Sequence, residues 1–82
     1  MSPANRQFLD DNRGHYITLV QAQYIQHLDG ATRDKLLRVV QEEFDPGYNT
    51  QLWCGTCVAD LLRYAYRRYD EWLTQNQSNA SN

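Results

Sequence analysis

Apolar and polar positions along this chain follow a helical period, most clearly between Trp53 and Gln75. Setting Val58 at zero and adding about 100° per residue places Cys54, Val58, Leu61, Leu62, Ala65, Tyr69, Trp72 and Leu73 on one arc roughly 100° wide. Asp60, Arg63, Arg67 and Asp70 fall outside it. The pattern predicts one long amphipathic helix against which the rest of the chain packs. A second stripe, Leu36, Leu37, Val40 and Phe44, predicts a helix over Ala31 to Phe44, with Arg33, Lys35, Arg38, Glu42 and Glu43 on its solvated face. A third, Ile17, Val20, Tyr24 and Leu28 with Tyr16 and Ile25 alongside, predicts a helix over His15 to Leu28. Tyr16 to Val20 alone would suit a strand. The glutamines at 21, 23 and 26 carry the 3.6 period onward, and the helix is preferred.

Punctuation supports these boundaries. Ser2-Pro3 is a helix start, a capping hydroxyl followed by a residue whose missing N–H is unneeded there. A short helix over Pro3 to Asp11 would use Phe8 and Leu9 as its apolar contact. At Asn12-Arg13-Gly14 either the chain bends, with Asn12 capping the next helix, or one longer helix tolerates Gly14 at a cost of about 1 kcal/mol; the break is preferred. Asp29-Gly30 ends that helix, Gly30 suiting a left-handed cap and Asp29 or Thr32 capping the one that follows. Asp45-Pro46-Gly47 is a stop and a turn. Tyr48 to Leu52 reads as an irregular connector that, with Trp53, folds back over the core. The expected architecture is all-α: a compact three-helix bundle, with the short N-terminal helix as an optional fourth element. Residues 1–73 form the domain. Residues 74–82, TQNQSNASN, bury nothing and are expected to be a disordered polar tail.

Composition narrows the function classes. Eighty-two residues make one domain near the lower limit for an unstapled core, and two Trp and six Tyr supply large buried areas economically. A formal charge of −2 argues against general affinity for nucleic acid or anionic lipid. No run is long enough to span a membrane. The opening MSPANRQFLDD lacks the apolar stretch of a secretory signal, which makes the cytoplasm the expected compartment and reduced thiols the expected state. No nucleophile–base–orienter set and no phosphate-cradling glycine loop is visible, so no catalytic residue and no cofactor is assigned.

Four constellations could carry chemistry. Cys54-Gly55-Thr56-Cys57, preceded by Trp53, resembles the thioredoxin-family active-site motif over those five residues. A cysteine at a helix N-terminus is acidified by the dipole, and a second thiol one turn on can resolve a disulfide. That fold needs a strand before the motif, a β-β-α unit after it and an opposing cis-proline. Helices precede the motif here, and both prolines lie upstream, so the resemblance is local. The packing alternative puts Cys54 inward as a small apolar residue and Cys57 on the boundary. Zinc is the second possibility, the two cysteines joining His15 or His27. The histidines lie 12 residues apart, roughly 18 Å along one helix, and could not share an ion. Third, the tight Asp29-Gly30-Ala31 link, with Arg33, Lys35 and Arg38 beyond it, fits a helix-turn-helix. The acidic balance and Glu42-Glu43 oppose DNA binding.

The fourth is Arg63-Tyr64-Ala65-Tyr66-Arg67-Arg68-Tyr69. Tyr69 points inward, while Tyr64 and Tyr66 flank the stripe among arginines, the residue types enriched where proteins bind proteins. The bland alternative pairs Arg67 with Glu71 at i,i+4 and laps Tyr66 over the core edge. One wider similarity spans about 44–73. F-D-P-G-Y, then W-C-x-x-C-V-x-D-L-L, closing in Y-D-E-W-L, resembles small uncharacterised proteins of bacteriophages and integrated elements of gut Bacteroidetes. It implies an accessory or virion-associated protein acting by contact, and supplies no site residues. The expected function is a non-enzymatic interaction or structural module. Arg63, Tyr64, Tyr66 and Arg67 would bind a protein partner or a second copy. A Cys54/Cys57 redox or zinc protein and a helix-turn-helix protein are the alternatives.

Overall fold

A computed structural model describes residues 1–23 and 28–81, with 77–81 through their backbone alone. Four helices occur among them: α1 (Pro3–Asp11), α2 (Arg13–Ala22), α3 (Gly30–Glu43) and α4 (Gly55–Ser81). α1 and α2 are joined through Asn12 alone, so the packing is that of a compact all-α three-helix bundle. α4 is its spine. At about 1.5 Å per residue its 27 residues span roughly 40 Å, which accounts for the 43 Å long axis of the molecule. α2 and α3 both pack on it, and α1 packs on α2.

The helix boundaries have local causes. Ser2 accepts the Asn5 N–H on its hydroxyl at 3.1 Å, with Pro3 at the first helical position. Asn12 does not cap α2 as expected. Its side-chain amide donates to the Phe8 carbonyl at 2.9 Å, closing α1 instead. α2 stops at Ala22, well before Leu28, because Gln23 takes a left-handed conformation with φ 62°. Tyr24, Ile25, Gln26 and His27, expected on this helix, lie outside the described residues. Gly30 is not the left-handed cap. It is the first residue of α3, whose N-terminus is capped by the Asp29 carboxylate accepting the Thr32 N–H at 2.7 Å. After Phe44 the Asp45 carboxylate accepts the Gly47 N–H at 3.0 Å and the Tyr48 N–H returns to the Asp45 carbonyl, forming the expected turn. α4 continues through Thr74 and Asn76 to Ser81, where the sequence predicts a polar tail from residue 74. No Gly or Pro follows Gly55, and Thr74 and Asn76 each donate a side-chain bond to a carbonyl one turn back.

The core is Leu9, Leu19, Leu28, Leu36, Val39, Val40, Leu61, Leu62, Ala65, Tyr66 and Tyr69, with Val58 and Ala59 at its edge of α4. Three departures from the expected stripes matter. In α2 the buried residue is Leu19, while Ile17 and Val20 are 44% and 55% exposed. In α3 Val39 is buried, and Leu37 and Phe44 are only partly covered. In α4 the buried arc widens to Tyr66 and Ala59, which lie at about 80° and 100° from Val58. A helix with one neighbour buries one stripe; α4 has two and buries a broader face.

Candidate functional site

Tyr66 was expected on the surface and is a core residue, 0% exposed. The α1–α2 arm closes over it. Its hydroxyl donates to the Leu9 carbonyl at 2.8 Å, and its ring stacks on Tyr16 at 5.1 Å between centroids. Arg13 lies over the Tyr66 and Tyr69 rings and bonds Asp70 at 2.8 Å. The Tyr69 hydroxyl donates to Asp10 at 2.6 Å. Burial pushes the Tyr66 phenol far above its ordinary pKa and raises that of Tyr69 as well. Tyr66 holds the arm to the spine and belongs to no surface.

Arg63, Tyr64 and Arg67 do come together. They lie on the outward face of α4, in an open groove of about 1010 Å³ walled by Tyr16 and Val20 of α2 on one side and Tyr48 of the connector on the other. Tyr48 stacks on Tyr64 at 4.8 Å, and the Gln41 side chain fixes it by donating to the Tyr48 carbonyl at 2.9 Å. The groove also carries carboxylates, and internal cations answer them. Asp60 pairs with Arg63 at 3.5 Å, Asp70 with Arg13, and Glu71 with Arg68 at 3.6 Å. Glu71 therefore does not take Arg67 as its partner, as i,i+4 spacing had suggested. Arg67 makes no ion pair among the described residues and lies 6.0 Å from the centroid of the Tyr64 ring. The resulting surface is aromatic and aliphatic at its walls, with the Arg67 guanidinium on its floor.

The sequence reading missed Tyr16, Val20 and Tyr48 as walls of this groove. Tyr16 and Val20 sit one turn apart and read as core. No local signal distinguishes a stripe that meets the spine from one that borders it.

The second cluster starts α4. Cys54 is its N-cap: the Cys54 carbonyl accepts the Val58 N–H at 3.0 Å and the Cys54 sulfur accepts the Cys57 N–H at 3.3 Å. Both thiols are free and half-buried: Cys57 lies on the boundary, as the packing alternative has it, while Cys54 is not the inward-packed residue expected there. The Cys57 thiol and amide, donating to the Cys54 sulfur, lower the Cys54 pKa, while the same hydrogen bond and burial raise that of Cys57. Trp53, expected to fold over the core, is 79% exposed beside them.

The remaining candidates are dispersed. No cluster of three or more His, Cys, Asp or Glu side chains able to hold a metal occurs among the described residues. His15 is on α2, and His27 lies outside the described residues. Asp29-Gly30-Ala31 is not a turn between helices, since Gly30 and Ala31 already belong to α3 and Asp29 caps it. Arg33 is turned inward, donating to the Leu28 carbonyl at 2.9 Å and the Leu52 carbonyl at 2.8 Å, and Lys35 lies over the Phe8 ring. No described helix is long and apolar enough to cross a membrane. Comparison of the chain with protein-family models, curated proteins and solved structures finds no match.

Proposed function

We propose that this protein is a small non-enzymatic interaction module that seats a segment of a protein partner in the groove over the outward face of α4. The observation that carries the reading is the groove's composition. Val20 and the Tyr16, Tyr48 and Tyr64 rings offer apolar surface, and Arg67 offers a positive charge that makes no ion pair among the described residues. The complementary segment presents an aliphatic or aromatic side chain with a carboxylate beside it. Tyrosine and arginine are the residue types that most often dominate binding energy, because large rings bury area at little entropic cost and guanidinium groups fork onto carboxylates. The similarity of 44–73 to small proteins of Bacteroidetes phages and integrated elements supports an accessory role in such an element, exercised in the cytoplasm.

Selection of a random displayed-peptide library on the immobilised protein tests this. Enriched peptides should share an apolar residue next to Asp or Glu, and should lose binding about tenfold or more to Arg67→Glu and to Val20→Asp, both exposed positions. Absence of enrichment, or peptides that bind the two variants as well as the parent, overturns the reading. Sedimentation equilibrium over a range of concentrations separates the partners. A dimer abolished by Arg67→Glu makes the occupant a second copy, and a persistent monomer makes it another protein.

A further inference from the structure

The Cys54–Cys57 pair has no part in that groove reading, and its geometry exceeds what helix capping needs. A hydroxyl or carboxylate is the preferred N-cap acceptor, so capping alone gives no reason for a thiol at residue 54. Packing accounts for them only in part, because both cysteines are half-buried and neither belongs to the buried core. Two thiols nonetheless meet here. The Cys54 sulfur lies at the N-terminus of the longest helix in the molecule and receives the Cys57 amide at 3.3 Å, with the Cys57 thiol one turn further on. A side chain at Gly55 would meet nothing within 4 Å, so the turn between the two cysteines is uncrowded on that side. The exposed Trp53 ring stands at the same edge.

We infer that Cys54 and Cys57 form a thiol–disulfide exchange site, with Cys54 as the attacking sulfur, Cys57 as the resolving sulfur and an accessible disulfide as the substrate. The aligned peptide dipoles and the two donors stabilise a negative charge on Cys54. Burial and the Asp60 carboxylate oppose them and are outweighed; the Cys54 pKa is lowered on balance. Cys57, with its pKa raised, keeps its proton for the second step. In the first step the Cys54 thiolate attacks one sulfur of RS–SR. The S–S bond breaks, a Cys54–S–S–R mixed disulfide forms, and RS⁻ departs and takes up a proton. In the second, Cys57 gives up its proton and attacks the Cys54 sulfur, expelling the other RS⁻, which is protonated in turn. The protein's two thiols are oxidised to one disulfide and RS–SR is reduced to two RSH. Exchange with two molecules of a free thiol runs the sequence backwards, so the site works stoichiometrically in either direction.

The experiment mixes the full chain, Cys54→Ser and Cys57→Ser with glutathione disulfide and follows intact mass against time and pH. Serine retains an N-cap acceptor, so the Cys54→Ser helix still starts at Gly55. The parent is expected to lose two hydrogens and end without an adduct. Cys57→Ser should accumulate one glutathione on Cys54. Cys54→Ser should react about tenfold more slowly, because Cys57 lies inside the first turn of α4 and its sulfur lacks the backbone amide that Cys54 receives. Because Cys57→Ser also removes the thiol donor to Cys54, the pH profile is taken on the parent, and its rate midpoint should lie below the free-thiol value of about 8.5. A parent that stops at an adduct, equal rates for the two serine variants, or a midpoint at or above that of a free thiol overturns the inference. A parallel arm with a disulfide-linked peptide dimer identifies the source of the disulfide. Slowing by Trp53→Ala in the peptide arm alone assigns polypeptide disulfides, and no slowing in either arm assigns small-molecule disulfides.

Discussion

Tyr64 and Tyr66 are two residues apart on one helix, each with arginines close by, and their fates differ completely. Tyr66 is sealed beneath the α1–α2 arm with its hydroxyl on the Leu9 carbonyl and Arg13 over its ring. Tyr64 stays at the surface, stacked on Tyr48 with Arg67 and Arg68 over its ring. Two residues on a helix differ by about 200°, so the two rings must leave on nearly opposite sides. Which of them is buried depends on where the second neighbour of α4 lies. The same pairing of tyrosine with arginine is thus a core device on one side and the lining of an open groove on the other. Residue enrichment at interfaces cannot separate the two uses.

That contrast can be broken by substitution, and Tyr66→Ala should have the largest effect. Emptying a fully enclosed aromatic site costs about 3–5 kcal/mol, a large share of the total stability of a domain this small. Urea denaturation followed by circular dichroism should show partial or complete unfolding. Tyr64→Ala should cost less, about 1–2 kcal/mol, since that ring is only partly buried at the core's edge. Equal losses at the two positions would erase the distinction.

The next effect isolates the Tyr66 hydroxyl. Tyr66→Phe keeps the ring but leaves the Leu9 carbonyl without its donor, a cost of about 1–2 kcal/mol at neutral pH. The pH dependence gives a second readout. Burial raises the Tyr66 pKa in the folded state above the ordinary tyrosine value of about 10. Between the two values the folded chain holds a proton that the unfolded chain has released. The stabilisation is therefore complete below about pH 10 and declines as pH rises further. Denaturation midpoints between about pH 9 and 11.5 should fall steeply for the parent and less steeply for Tyr66→Phe. Residual alkaline dependence is expected from Tyr69 and Tyr48, whose pKa values burial also raises.

Smaller still is the Arg13 contribution. The Arg13–Asp70 pair is partly exposed, so Arg13→Ala should cost about 1 kcal/mol, with lost cover over the Tyr66 and Tyr69 rings adding to the lost ion pair. A double-mutant cycle with Asp70→Asn, repeated at high salt, apportions the two. The smallest change belongs to Arg67→Ala, which should move the denaturation midpoint by less than about 0.5 kcal/mol in stability. A larger loss would place Arg67 among the residues that hold the fold and remove it from the groove's recognition surface.

Much of the architecture is legible without coordinates, for local reasons. The Ser2-Pro3 start, the Asp29 cap and the Asp45-Pro46-Gly47 turn each depend on groups within three residues of one another. The stripes on α3 and α4 give the correct inward faces to within about one side position. What failed was non-local. Gln23 ends α2 with no glycine or proline to announce it, and Ile17 and Val20 keep helical spacing while bordering a groove. Arg33 looks like a solvated cation and is bound to two backbone carbonyls, one of them 19 residues away.

Periodicity, caps and turn chemistry act over one or two helical turns, and the sequence alone therefore determines that the chain is all-α, where most helices start and that Cys54 and Cys57 share a helix entrance. The width of a helix's buried face depends on how many partners it has and at what angle they lie. That arrangement is fixed by the joint packing of distant segments. Only the tertiary structure decides that Tyr66 closes the core, that Arg67 makes no ion pair among the described residues, and that α2 and Tyr48 raise walls on either side of it.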